Sequence, residues 1–180
     1  AMAQLVAPIE ANLAYITGGE LARWNCVWMQ QIAGLQSQAA EADIYTLGES
    51  DVTNAWSYNL YAPGMVNTKI LMDKAQTGNS PHYAGIGKIL MAYHLGVATD
   101  LWGDIPYSDA LKGANNHVKS KYDTQEEIYN TIFTLLNEAI NDLSASTSLF
   151  SPDAEDLIYA GDLDKWTKTA YALKARYSLH

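Results

Sequence analysis

The stretch from Ala98 to Leu111, Ala-Thr-Asp-Leu-Trp-Gly-Asp-Ile-Pro-Tyr-Ser-Asp-Ala-Leu, constrains the fold of this chain more than any other segment. An apolar helical pattern runs into it from about Tyr83 and must end at Gly103, where a residue without Cβ can take the positive φ that helix C-termini favour. Pro106, which has no amide hydrogen to donate, prevents the helix from resuming. Aromatic residues flank the turn on both sides. The block therefore reads as a fixed helix exit, and Asp100, Trp102 and Asp104 read as residues that position backbone.

The 180 residues are 48% hydrophobic, enough for one sizeable core. Acidic residues outnumber basic ones 20 to 11, for a net charge of -9, and no Lys/Arg cluster interrupts the acidic background. Nucleic acid is excluded as a natural partner by that balance. No apolar run approaches the roughly 20 residues that cross a bilayer, and the opening Ala-Met-Ala-Gln lacks the basic and apolar regions of a signal peptide, so a soluble chain is expected. Cys26 is the single cysteine. It excludes an internal disulfide, reads as a buried structural thiol between Trp24 and Trp28, and follows no signal that would make it a lipid-carrying residue.

Leu5, Val6, Ile9, Leu13 and Ile16 recur at helical spacing; Gly18-Gly19 interrupts, and Leu21, Trp24, Trp28, Ile32 and Leu35 resume the stripe. This is one helix with a weak joint, or two in line. From Gln36 to Val52 the pattern dissolves into a long loop around Tyr45. Trp56, Leu60, Val66, Ile70 and Leu71 predict a helix from about Asn54 to Ala75, kinked at Pro63-Gly64. Ser80-Pro81 reads as a cap followed by a first-turn proline, and Tyr83, Ile86, Leu90, Tyr93 and Val97 form the next stripe. Thr124-Gln125-Glu126-Glu127 offers a capping box before Ile128, Ile132, Leu135 and Leu143. After a Ser-rich connection, Asp162 caps a final helix bearing Trp166, Ala170, Leu173 and Tyr177. That last pattern reaches His180 with no Gly, Asn or Pro to close it, so the chain is read as a fragment of something longer.

No segment alternates in the manner of a strand, and the fold class is all-α, with tetratricopeptide-like paired helices and small residues such as Gly85, Gly87, Ala170 and Ala175 at the crossings. The strict repeat consensus is missing. Catalytic chemistry finds little support: there is no Gly-x-Ser-x-Gly, no cysteine with an evident histidine partner, and no pair at i, i+4 among His82, His94, His117 and His180. His94 reads as a core histidine. Asp100 and Asp104 could be imagined as a hydrolytic carboxylate pair, but Gly103 and Pro106 break the helix that would align them. Asp43, Glu49 and Asp51 match no calcium loop. No metal or cofactor is expected.

Aromatic surface is the remaining resource: 12 Tyr and five Trp accompany only two Phe. Their rings stack on sugar C–H faces while neighbouring amides and carboxylates bind hydroxyls. Tyr45, Asp51, Asn54, Trp56 and Tyr58 bring both kinds of group into one stretch and are the candidate ligand-binding residues. An equal reading buries Trp56 and Tyr58 in the core.

Four segments in order carry a family resemblance. The first pair is Trp28-Met29-Gln30-Gln31 with, after the polar loop, Trp56-Ser57-Tyr58-Asn59-Leu60-Tyr61. The second is Ala98 to Leu111, the third is Tyr122-Asp123-Thr124-Gln125-Glu126-Glu127-Ile128-Tyr129, and the fourth runs from Lys165 to Arg176. Together they resemble the N-terminal portion of the SusD/RagB family of Bacteroidetes nutrient-binding lipoproteins. The resemblance implies that residues 1–180 are the N-terminal portion of a single SusD-like domain, within a larger α-superhelical fold. It implies lipid anchoring at the cell-surface side of the outer membrane, through an anchor that this chain lacks. The implied role is non-enzymatic: a lid on a SusC-like TonB-dependent transporter, capturing oligosaccharides or other nutrients. A helical-repeat scaffold that binds only protein is the alternative.

Overall fold

The computed structural model describes residues 1–46, 48–112 and 119–180; His117 lies outside them. Among the described residues the regular structure is helical, apart from one antiparallel bridge between Ile105 and Asp123. The helices are α1 (Ala3–Tyr15), α2 (Leu21–Trp28), α3 (Ser37–Asp43), α4 (Val66–Thr77), α5 (Pro81–Trp102), α6 (Gln125–Leu143) and α7 (Leu163–Tyr177). Two π-helical stretches, Ile16–Glu20 and Asn54–Met65, join α1 to α2 and lead into α4. The Gly18-Gly19 joint is thus a local widening of one continuous helix, and the Pro63-Gly64 irregularity is a π-helical run.

Helix α5 is the axis of the molecule. It is apolar nearly all round, as a helix enclosed by others must be, with Ile86, Ile89, Leu90, Met91 and Leu95 inaccessible or nearly so. Its glycines set how closely the neighbours approach. A Cβ on Gly85 would lie 2.7 Å from Leu143, one on Gly87 2.8 Å from Met72, and one on Gly96 2.0 Å from the Tyr177 hydroxyl. Lys88 pairs with Glu138 and Asp142 near the end of α6 at 2.9 and 2.8 Å, while Asp100 at the other end of α5 accepts a hydrogen bond from Tyr129 near the start of α6. The α5–α6 pair is therefore antiparallel. Ala170 is buried in α7, whereas Ala175 is exposed and takes no part in a crossing.

The helix exit is fixed as its residues predict. Gly103 adopts φ 73°, and its N–H donates to the Thr99 carbonyl. Thr99 Oγ1 returns a bond to the Gly103 carbonyl at 2.7 Å. Asp104 Oδ1 accepts from Gln125 N at 2.9 Å and so caps the first turn of α6 beside the Thr124–Glu127 box. Asp123 accepts from Tyr107 N, Ser108 N and Ser108 Oγ at 2.6–3.0 Å and pairs with Lys121 at 2.8 Å. These partners hold its carboxyl far below the usual carboxylate range, against the desolvation that opposes it.

Several expectations fail at helix ends. The stripe through Ile32 and Leu35 does not continue: α2 stops at Trp28, leaving both residues exposed. Gln31 N donates to Cys26 O and Gln30 N to Val27 O, with Gln30 at φ 55°, a Schellman closure without the usual glycine. The stretch from Gln36 to Val52 is not simply a loop, because it contains α3 and a short 3₁₀ turn, Glu49–Val52. Ala42 of α3 is buried against Trp24 and Val27, a tertiary contact that local sequence cannot announce. Cys26 is half-buried rather than enclosed. Ser80 does not cap α5; its Oγ donates to Gly78 O and accepts from Phe150 N, tying the connection after α6 to the end of α4.

Besides Asp123, the buried carboxylate and imidazole groups among the described residues are His94 in the core and the Glu10–Asp156 pair. His94 is inaccessible, its Nδ1 shares a hydrogen bond with Leu90 O, and desolvation pushes it down to about 4, so it is neutral in the core. Glu10 on α1 is 3% exposed; its Oε2 accepts from Leu157 N at 2.7 Å, while its Oε1 lacks a partner. Asp156, also buried, accepts from Ile158 N, Tyr159 N, Gly161 N and Trp166 Nε1. Those four donors keep Asp156 ionised in spite of desolvation, whereas Glu10, with few donors and two neighbouring carboxylates, is pushed up to about 8, chiefly by desolvation.

Candidate functional site

The two π-helical stretches lie side by side and open a groove of about 580 Å³ between them. Widening a helix turns its side chains onto a new face, a common origin of local binding geometry. Tyr15, Glu20 and Arg23 form one wall; Asn54, Tyr58 and Asn59 form the other. The two tyrosines are 64% and 66% exposed, with no bulk of their own to cover. The floor is pre-organised: Asn59 Nδ2 donates to Glu20 Oε2 at 3.1 Å and to Asn54 O at 3.0 Å, and Asn59 O accepts from Asn12 Nδ2 at 2.8 Å. Exposed rings above fixed amides, with one carboxylate and one guanidinium of opposite charge, suit a polar, largely uncharged ligand.

Of the five candidate residues, Asn54 and Tyr58 come together here. Trp56 points to a different side of the same stretch. Its ring packs against Tyr61 and Trp102 at centroid distances of 4.8 and 5.1 Å, half-buried against the core, and lines a separate shallow cleft with Pro106 and Leu111. Of the paired readings for Trp56 and Tyr58, partial burial describes the first and exposure the second. Tyr45 is exposed at φ 57°, closing α3, and its hydroxyl donates to Trp28 O at 2.8 Å. Asp51 accepts from Gly48 N at 2.9 Å. Neither lines the groove.

Tyr15, Glu20 and Arg23 escaped the sequence reading. The signal available was the Gly18-Gly19 joint, which marks an irregular turn but does not say which segment faces it. Asp100 and Asp104 are committed to Tyr129 and Gln125 respectively and do not form a hydrolytic pair. Among the described residues no group of three or more His, Cys, Asp and Glu converges as for a metal ion, and Asp43 instead accepts from Gly34 N.

Residues 1–180 match throughout the SusD-like family described as starch-binding and associating with the outer membrane, and the chain belongs to that family. No curated protein matches it. A solved SusD/RagB family protein from Bacteroides thetaiotaomicron superposes with TM-score 0.90 at 28% identity, over 99% of this chain and 38% of that protein. A structure described as a chitin-binding protein superposes with TM-score 0.83 at 26% identity, over 99% and 38% of the two chains. A chitin-binding SusD homolog from Flavobacterium johnsoniae, 21% identical with TM-score 0.71 over 98% and 38%, shares the fold. The chain therefore spans about two fifths of the length of these structures, and its all-α, paired-helix architecture is the SusD-like one.

Proposed function

We propose that this chain is the N-terminal portion of a SusD-like domain in a non-enzymatic, cell-surface carbohydrate-binding protein, lipid-anchored at the outer membrane. In that role it works as the lid of a TonB-dependent transporter and hands oligosaccharides to it. The observation that carries the reading is the family match over residues 1–180, the family being described as starch-binding and outer-membrane-associated. Support comes from the chitin-binding description of a structure 26% identical and from the groove with its two exposed tyrosines. Within the described residues no helix is long and apolar enough to cross a membrane, which suits attachment by an anchor. Tyr58 and Asn54 are the two of the five candidates assigned to ligand; Tyr45, Asp51 and Trp56 lie outside the groove and make their contacts with Trp28 O, Gly48 N and the Tyr61 and Trp102 rings respectively.

Isothermal titration of the full-length protein against α- and β-glucan, chitin, mannan and xylan oligosaccharides tests the reading. Saturable heat that weakens in Tyr58→Ala is the expected result. A silent panel, together with stable co-purification with a β-barrel transporter, would favour the protein-only scaffold instead.

A further inference from the structure

A further cleft, of about 100 Å³, lies on the α2–α5 side of the molecule, walled by Trp24, Trp28 and Trp102 with Leu21, Leu101 and Val52. Trp24 and Trp28 stack at 6.1 Å with 25° between their planes. None of the described walls is ionisable, and Asn25 is the one polar side chain beside the indoles. Trp24 is 1% exposed, and its indole N–H has no acceptor. The cleft continues across Leu21, Asn25 and Leu101 into a polar lobe of about 240 Å³ that holds Thr17, Tyr93, Asp100 and Arg176.

We propose that the three-indole cleft is a carbohydrate subsite taking one uncharged pyranose ring, with the next sugar of the chain in the Asp100–Arg176 lobe. The proposal rests on the carbohydrate-binding reading and deepens it. Three features select this ligand class. The partly exposed indole faces of Trp28 and Trp102 fit the C–H face of a pyranose. The cleft's own walls carry no ionised side chain, and the Arg23 guanidinium 4.9 Å over the Trp24 ring disfavours a cationic occupant, so a neutral ring is preferred. The Asn25 amide calls for hydroxyl or ring oxygens. The polar lobe then favours an oligomer over a monosaccharide, because Asp100 and Arg176 supply an acceptor and a donor for hydroxyl groups just beyond the first ring.

The test is titration of the full-length protein with the same oligosaccharide panel, read by calorimetry and by tryptophan fluorescence. Trp28→Ala removes a stacking face, and Leu101→Arg, at a 40% exposed position on the wall shared by both lobes, fills the cleft. Each is expected to weaken binding about tenfold or more, the equivalent of losing one aromatic stacking contact. Trp28→Phe should retain binding within about threefold but lose part of the fluorescence change. Should circular dichroism find Trp28→Ala unfolded, Leu101→Arg decides alone. Wild-type affinity in Leu101→Arg, alongside lost affinity in Tyr58→Ala, overturns the subsite and leaves the carbohydrate reading standing. A wild-type protein silent to the whole panel overturns both.

Discussion

Replacing Glu10 by Gln should make the protein more stable at alkaline pH, by a margin over the wild type that widens from pH 5 to about 8. Glu10 is buried on α1, faces the carboxylates of Asp156 and Glu155, and has one backbone donor, Leu157 N. Its folded-state pKa rises from 4.5 to about 8. Below pH 4.5 both folded and unfolded chains carry the proton, and Glu10 costs nothing. As pH climbs, the unfolded chain releases the proton while the folded one retains it, so the contribution of Glu10 falls until about pH 8 and is level thereafter. The interval from 4.5 to about 8, at about 1.36 kcal/mol per pH unit, gives up to roughly 5 kcal/mol. Glutamine reproduces the protonated form: its carbonyl oxygen can accept from Leu157 N and its amide can donate to Asp156. The groups that hold Asp123 and Asp156 ionised act below the ordinary carboxylate range, whereas buried His94, pushed down from 6.5 to about 4, adds stability in both proteins as pH rises between those values, so the difference between the two curves isolates Glu10. Urea unfolding of both proteins at half-unit steps from pH 5 to 9 is the assay. Parallel curves for the two proteins would refute the reasoning.

Asp156→Ala strands the Trp166 indole N–H and three backbone donors, and should cost about 3 kcal/mol or more by denaturant unfolding. In the native protein the depressed Asp123 and Asp156 pKa values place the matching acid loss below the ordinary carboxylate range, because their contribution is present above the unfolded pKa and fades only as the folded forms protonate. Gly96→Ala drives a methyl group into the Tyr177 ring and should lose about 1–3 kcal/mol, seen as a lower melting temperature. Trp56→Ala, which opens the contacts with Tyr61 and Trp102, should destabilise by about 2 kcal/mol. Tyr58→Ala should leave stability within about 0.5 kcal/mol while weakening oligosaccharide binding in calorimetry.

Helix interiors were legible in the sequence, and so were those ends that carry their own chemistry. The Thr124–Glu127 box, the Asp162 cap and the positive-φ Gly103 each act within a few residues of chain, so a local pattern suffices to find them. The ends closed by Gln30 and Tyr45 were not legible, because a left-handed residue other than glycine has no local signature and is held there by the turn as a whole. Helix α3 is similar: it exists because Ala42 finds Trp24 and Val27 across a loop.

By itself, then, the sequence determined the all-α class, the central apolar helix, the helix exit at Gly103 and the resemblance that led to the family. Periodicity and capping are short-range, and the ordered motifs are read directly. Only the tertiary structure decided which rings are available to a ligand. Tyr58 and Trp56 are two residues apart, yet one stands in solvent opposite Tyr15 and the other packs on Trp102. What separates them is the direction each side chain leaves a π-helical turn and what the neighbouring helices present there, and both are properties of packing between distant segments.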